Sequence, residues 1–201
     1  MTTSSKTLRT VRIILWSLVA VVALAATALF VFRPPSKPLG VTGQEFALNS
    51  TKGGEFTQND LRGTPSLVFF GFTFCPDVCP TTMAETTAWR AQLGLTPEQL
   101  RIIFVTVDPE RDSLEAVKDY VEGFDPTIIG LVGDAKQTDA VKAAFGVFSE
   151  KTGEPGDADY LVNHTALTFL IDANGTFQST ISYEEASNTA LAKIKRLVGQ
   201  Q

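Results

Sequence analysis

The residues best suited to chemistry in this chain are Cys75, Cys79 and His164, its only two cysteines and its only histidine. The cysteines stand four apart in Phe74-Cys75-Pro76-Asp77-Val78-Cys79-Pro80. Thiolates select Cu(I), zinc and iron–sulfur centres, and imidazole suits copper and zinc. Three such ligands fall short of the four that close a structural zinc site. They suffice for three-coordinate Cu(I) or an open copper site. The same thiols can pair as a disulfide, so redox chemistry is the immediate rival. As a passive staple that bridge would do little, because closing so short a loop removes little entropy from the unfolded chain.

The elements that position these residues follow from local pattern. Residues 66–72 form an apolar run behind Pro65 and read as a buried strand. A helix over about 80–93 follows. The cysteines therefore sit between the carboxyl end of a strand and the start of a helix, where sites form in open α/β sheets. A helix N-terminus carries partial positive charge, which favours thiolate. Pro76 and Pro80 both suit a first helical turn. With Cys75 already helical, the spacing puts the two Cα atoms about 6 Å apart, within disulfide reach.

Upstream, residues 45–48 and 54–57 suggest a β-hairpin. Downstream, 101–107 and 127–132 read as strands, and 113–121 (capped by Asp112 or Ser113) and 138–145 as helices. Strands 167–171 and 176–181 pair around the hairpin signal Asn174-Gly175, and a last helix spans 186–198. The alternation predicts an α/β fold with a mostly parallel sheet, helices on its faces and a late antiparallel edge.

Residues 13–32 carry no charge and are long enough to cross a bilayer. Lys6, Arg9 and Arg12 precede the span, and Arg33 and Lys37 follow it, which favours the N-terminus inside and the remaining chain outside. A cleaved signal peptide is the rival, supported by Ala23, Ala25, Ala26 and Ala28 but opposed by the apolar run continuing to Phe32. The basic, acid-free first twelve residues also admit a mitochondrial presequence, although they are short for one. The expected organisation is a cytoplasmic N-terminus (1–12), a transmembrane anchor (13–32), a Pro-rich linker (33–40) and one soluble domain (41–201). Of the 17 basic residues, 12 share residues 38–201 with all 22 acidic ones, a net of −10 there. So acidic a domain repels phosphate backbones, which argues against nucleic acid as a partner.

The run Gly71-Phe72-Thr73-Phe74-Cys75-Pro76-Asp77-Val78-Cys79-Pro80 resembles the signature of the Sco/SenC family. The resemblance continues through Val107-Asp108-Pro109-Glu110-Arg111-Asp112 and Tyr160-Leu161-Val162-Asn163-His164-Thr165, spanning essentially the whole soluble domain. It implies a thioredoxin-like fold and a membrane-anchored copper chaperone for cytochrome c oxidase assembly, not an enzyme. The implied ligands for Cu(I) or Cu(II) are Cys75, Cys79 and His164. The implied partners are the copper-centre subunit of the oxidase and another copper chaperone or a thiol reductant. The implied location is the cytoplasmic membrane, single-pass, with the domain on the periplasmic side. Asn163 departs from the Asp usual in the family before the histidine, which is expected to alter copper affinity.

Neighbouring residues have plainer readings beside chemical ones. Asp77 offers an oxygen to Cu(II) or caps the helix. Met83 reads as core rather than thioether ligand. Asp108, Arg111 and Asp112 suggest a loop ion pair and a cap. Phe69, Phe70 and Phe72 read as core, and Phe74 as exposed beside the site. The alternative function is a thiol–disulfide oxidoreductase that reduces the acceptor's cysteines. Such reductases resemble one another in a Cys-x-x-Cys spacing and a nearby cis-proline; this chain has a three-residue spacer, and its matching turn Asn163-His164-Thr165-Ala166 has no proline. A peroxiredoxin-like peroxidase is disfavoured, since Phe72 and Val68 stand where that family's Thr and Pro belong.

Overall fold

An uncharged apolar run satisfies its backbone polar groups internally as a helix. Accordingly α1 (Thr3–Val31) is one unbroken helix. Its stretch Leu8–Thr27, with mean hydropathy 2.0, is long and apolar enough to cross a membrane by length and composition. The computed structural model describes residues 3–31, 41–153 and 159–199. The chain divides into two units, residues 1–36 and 37–201. The Pro-rich linker expected at 33–40 lies outside the described residues.

The second unit opens with the expected hairpin, β1 (Ala47–Ser50) and β2 (Glu55–Thr57), followed by a 3-10 turn over Gln58–Leu61. Three strand–helix units follow: β3 (Ser66–Gly71) with α2 (Val78–Gln92), β4 (Arg101–Thr106) with α3 (Leu114–Glu122), and β5 (Ile129–Val132) with α4 (Ala135–Phe145). Next come β6 (Ser149–Thr152) and β7 (Leu161–His164), which pair with each other as a separate two-stranded ribbon. The chain closes with β8 (Leu167–Ile171), β9 (Phe177–Ser182) and α5 (Ser187–Leu197).

The main sheet has the order β2-β1-β5-β4-β3-β8-β9. Parallel pairing is confined to the central strands β3, β4 and β5; the remaining pairs are antiparallel. Every residue of β3 is buried, as a central strand covered on both faces requires. Phe69, Phe70, Phe72 and Phe104 fill the core around it, and Met83 joins them from α2, as expected. Helix starts are set by local chemistry. Ser113 caps α3 through Ala116 N–H, and Asp134 forms a capping box with Gln137 at α4. Gly146 ends α4 in the left-handed region (φ 68°), where a Cβ would be strained.

Three local expectations are corrected. Helix α2 begins at Val78, two residues before the expected start, so Cys75 and Pro76 lie outside it. Pro80 falls in its first turn, where no N–H partner is needed. Asp77 occupies the N-cap position, yet its side chain makes no capping hydrogen bond. The ribbon β6–β7 was not anticipated: β6 is polar throughout, and β7 has its two apolar residues, Leu161 and Val162, side by side rather than alternating.

Candidate metal centre

The cysteine loop leaves β3 at its carboxyl end and turns back at once. Cys75 N–H donates to the Phe72 carbonyl at 3.2 Å, closing the turn. The loop is tied down by Asp112. Its carboxylate accepts from Thr73 N–H at 3.1 Å, Thr73 Oγ1 at 2.6 Å and Thr106 Oγ1 at 2.5 Å. Asp112 thus ties the cysteine loop to β4; the cap belongs to Ser113. Burial pushes the Asp112 carboxyl above its usual range despite these donors.

Cys79 lies in the first turn of α2 with no exposed surface. Its sulfur rests over Gly71, where a Cβ would come within 2.9 Å of Sγ and 2.9 Å of Phe104. Only glycine leaves room for the thiol at that position. Cys75 is partly exposed. Its sulfur accepts from Cys79 N–H at 3.4 Å, an orphan donor of the helix N-terminus.

His164 ends β7 and reaches the cysteines through a reversal of chain direction. β8 runs antiparallel to β3, with Phe69 opposite Thr168. The start of β8 therefore lies at the carboxyl end of β3, beside the cysteine loop. His164 precedes β8 by three residues and is delivered there, 85 residues along the chain from Cys79. Phe69 and Phe72 meet the imidazole edge-on, each with centroids 6.0 Å away. His164 Nε2 lies 3.6 Å from Cys79 Sγ, and Nδ1 lies 3.2 Å from the Thr165 carbonyl. A carbonyl oxygen only accepts, so Nδ1 carries a proton in either charge state of the ring. Nε2 is the nitrogen turned to the sulfurs: a donor when the ring is charged, a lone pair for a metal when it is neutral.

The three donor atoms lie within 4.8 Å of one another. The two thiols are driven apart in acidity. The Cys79 thiol donates to Cys75 and, against the cost of burial, His164 and the backbone N–H groups of Asp77 and Cys79 reinforce it; Cys75 is lowered to about 4. Cys79, beside that thiolate and buried, is pushed far above the ordinary thiol range. The site thus presents one thiolate, one thiol and one imidazole.

Of the neighbours, Phe74 is 59% exposed beside Cys75, as expected. Phe148, 61% exposed, flanks the histidine side: its N–H donates to Thr165 Oγ1 at 3.0 Å. Arg111 pairs with Asp108 at 2.6 Å, the expected loop ion pair. Asn163 is exposed and stands opposite Glu150 across the ribbon. Sequence reading missed Gly71, Thr73 and Phe148. Gly71 and Thr73 did lie within the run Gly71-Phe72-Thr73, adjoining the cysteines.

Known proteins bear directly on this arrangement. The SCO1/SenC family model matches residues 35–199. A SCO2-like protein of Rickettsia felis is 36% identical over 156 residues, covering 72% of this chain and 76% of that protein. Bradyrhizobium japonicum ScoI, solved with copper bound, superposes with a TM-score of 0.70 at 36% identity, covering 79% of this chain and 99% of that one. Yeast Sco1, also solved with copper bound, gives a TM-score of 0.69 at 31% identity over 81% of this chain and 90% of the other. With the match running from before the first strand through the last helix, this chain belongs to the SCO1/SenC family and has its thioredoxin-like fold.

Proposed function

We propose that this chain is a membrane-tethered copper carrier that binds the metal through Cys75, Cys79 and His164. In this reading it delivers the metal to the copper centre of cytochrome c oxidase during assembly. The observation that carries the proposal is the convergence of two sulfurs and one imidazole nitrogen within 4.8 Å. Around one ion with bonds of about 2.0–2.3 Å, trigonal donors stand about 3.5–4 Å apart. Nε2 and Cys79 Sγ, 3.6 Å apart, already match that spacing. The donors are soft, as Cu(I) prefers. Cu(II) would use the same three with water or Asp77. Release is ligand exchange, with acceptor thiolates replacing these donors and no turnover chemistry. Residues 1–12 lie in the cytoplasm in this reading, 13–32 span the cytoplasmic membrane, and 33–40 tether a copper-binding domain, 41–201, on the extracytoplasmic side. The partners are the oxidase's copper-centre subunit and a copper donor or thiol reductant.

A second reading is favoured by one observation, the acidity split between a partly exposed and a buried thiol. In it the Cys75 thiolate attacks an acceptor disulfide and expels one acceptor thiolate. Cys79, losing its proton, then attacks Cys75 and releases the second. Two electrons leave this dithiol, which becomes a disulfide, and the acceptor is left as a dithiol ready for metal.

An anaerobic Cu(I) titration of the reduced, full-length protein in detergent, against a competing chelator, separates the two. The expected result is one tightly held copper, weakened by more than the 10–100-fold typical of an outer-shell change when His164→Ala is made, with disulfide formation nearly intact. Binding indifferent to His164, or none, makes thiol–disulfide exchange the leading function.

A further inference from the structure

We infer that Arg111 is a positioning residue for the donor set, clamping the histidine arm to the cysteine loop; its use in copper binding rests on the function proposed above. Asp108, just beyond β4, has a side chain with no exposed surface. Its Oδ2 accepts from Arg111 Nε at 2.6 Å, and its Oδ1 accepts from the Tyr160 hydroxyl at 2.6 Å. The carboxylate thus fixes both the guanidinium and the phenol. Between them Arg111 Cζ stands 3.6 Å from the Tyr160 ring centroid. The same carbon lies 4.8 Å from the Phe74 centroid and 5.9 Å from that of Phe72.

These rings belong to the two segments that carry the ligands. Phe74 precedes Cys75 directly, and Phe72 meets the His164 ring at 89°. Tyr160 immediately precedes β7, the strand that ends in His164. One planar cation therefore touches both arms. Among the described residues, the ribbon carrying His164 has no strand partner in the main sheet. Its placement over the sulfurs accordingly depends on contacts of this kind together with the packing of the imidazole itself. A guanidinium suits the role because its flat face stacks on rings while its edge donates to a carboxylate; an ammonium does one or the other.

The test uses full-length protein carrying Arg111→Lys, Arg111→Ala or Tyr160→Phe. Four quantities are read: Cu(I) affinity against a chelator, the rate of Cys75–Cys79 disulfide formation, the thermal midpoint, and the NMR ring signals of the sole histidine without copper. Arg111→Lys is expected to weaken Cu(I) binding about tenfold, as loss of an outer-shell partner does. Disulfide formation should hold its rate, because both thiols lie within the contiguous loop and first turn of α2, which Asp112 ties down independently of Arg111. The imidazole signals, a single set in wild type, should broaden or split in Arg111→Ala. Tyr160→Phe should act in the same direction and more weakly. Wild-type affinity and ring signals in both Arg111 variants would overturn the clamp, as would a parallel fall of affinity, disulfide rate and thermal midpoint. If wild type binds no copper, the proposed function fails, while the ring signals and disulfide rate still decide the clamp.

Discussion

The two arms of the proposed metal centre are built differently. The cysteine arm is part of the core: it leaves a fully buried strand, its second thiol has no exposed surface, and a buried carboxylate ties down its loop. The histidine arm rides on a ribbon whose strands are mostly exposed or half-buried and, among the described residues, pair only with each other. Under the carrier function proposed above, which requires a metal to be held and then released, that asymmetry is useful. The sulfurs stay in place, while the nitrogen can leave without breaking a hydrogen bond of the main sheet. Regions with few buried contacts open at lower free energy than the core, and donor arms that move are drawn from them.

The sharpest test of whether the arms act together is the acidity of Cys75. Its alkylation rate should fall with a midpoint near pH 4. A free thiol titrates near 8.5, so the difference exceeds four orders of magnitude in acidity. Because the folded-state value is the lower one, the thiolate stabilises the fold fully above the unfolded value, and that contribution is lost as pH falls through about 4. In His164→Ala the midpoint should rise, since the histidine helps hold the thiolate. An unmoved midpoint would make the arms electrostatically independent.

Gly71→Ala probes chiefly the cysteine arm, although its methyl also meets Phe69, which packs against the imidazole. The added methyl meets Cys79 Sγ and the Phe104 ring, so overpacking should cost about 1–3 kcal/mol in chemical denaturation. Amide exchange in the ribbon should be unchanged; if it accelerates equally, the arms are one structural unit. The smallest effect is expected on the histidine side. Asn163→Asp places a carboxylate opposite Glu150, which should weaken ribbon pairing by about 0.2–1 kcal/mol. Faster amide exchange over residues 149–152 and 161–164 at low salt, restored at high salt, would register it. A change in copper affinity without that signature would place the effect of residue 163 at the metal.

The same asymmetry explains what could be read from the chain in advance. Strand, proline-flanked dithiol and helix are contiguous, so residue types and spacing were enough to place Cys75 and Cys79 at a strand end. His164 stood out as the sole histidine of the chain, but its neighbours come from β3, far upstream, and it was the family resemblance that made it a firm ligand. The ribbon was illegible because Ser149-Glu150-Lys151-Thr152 is polar throughout and its partner strand begins beyond residue 160. Asp112 and Asp77 were both credible caps by type. The first is claimed by Thr73, 39 residues upstream, and the second makes no capping bond. Parallel pairing was expected across most of the sheet but is confined to β3, β4 and β5, because the first hairpin enters antiparallel beside β5 and the last two strands form a hairpin that enters antiparallel beside β3.

That antiparallel entry of β8 also sets the order in which the centre comes into being. Pairing β3 with β8 closes a loop of roughly a hundred residues, a non-local contact that folding makes slowly and pays for in chain entropy. A chain still short of that step holds both sulfurs but not the nitrogen. Completeness of the donor set is therefore a report on completed folding: under the proposed function, a nascent or damaged molecule would offer copper only a two-sulfur grip.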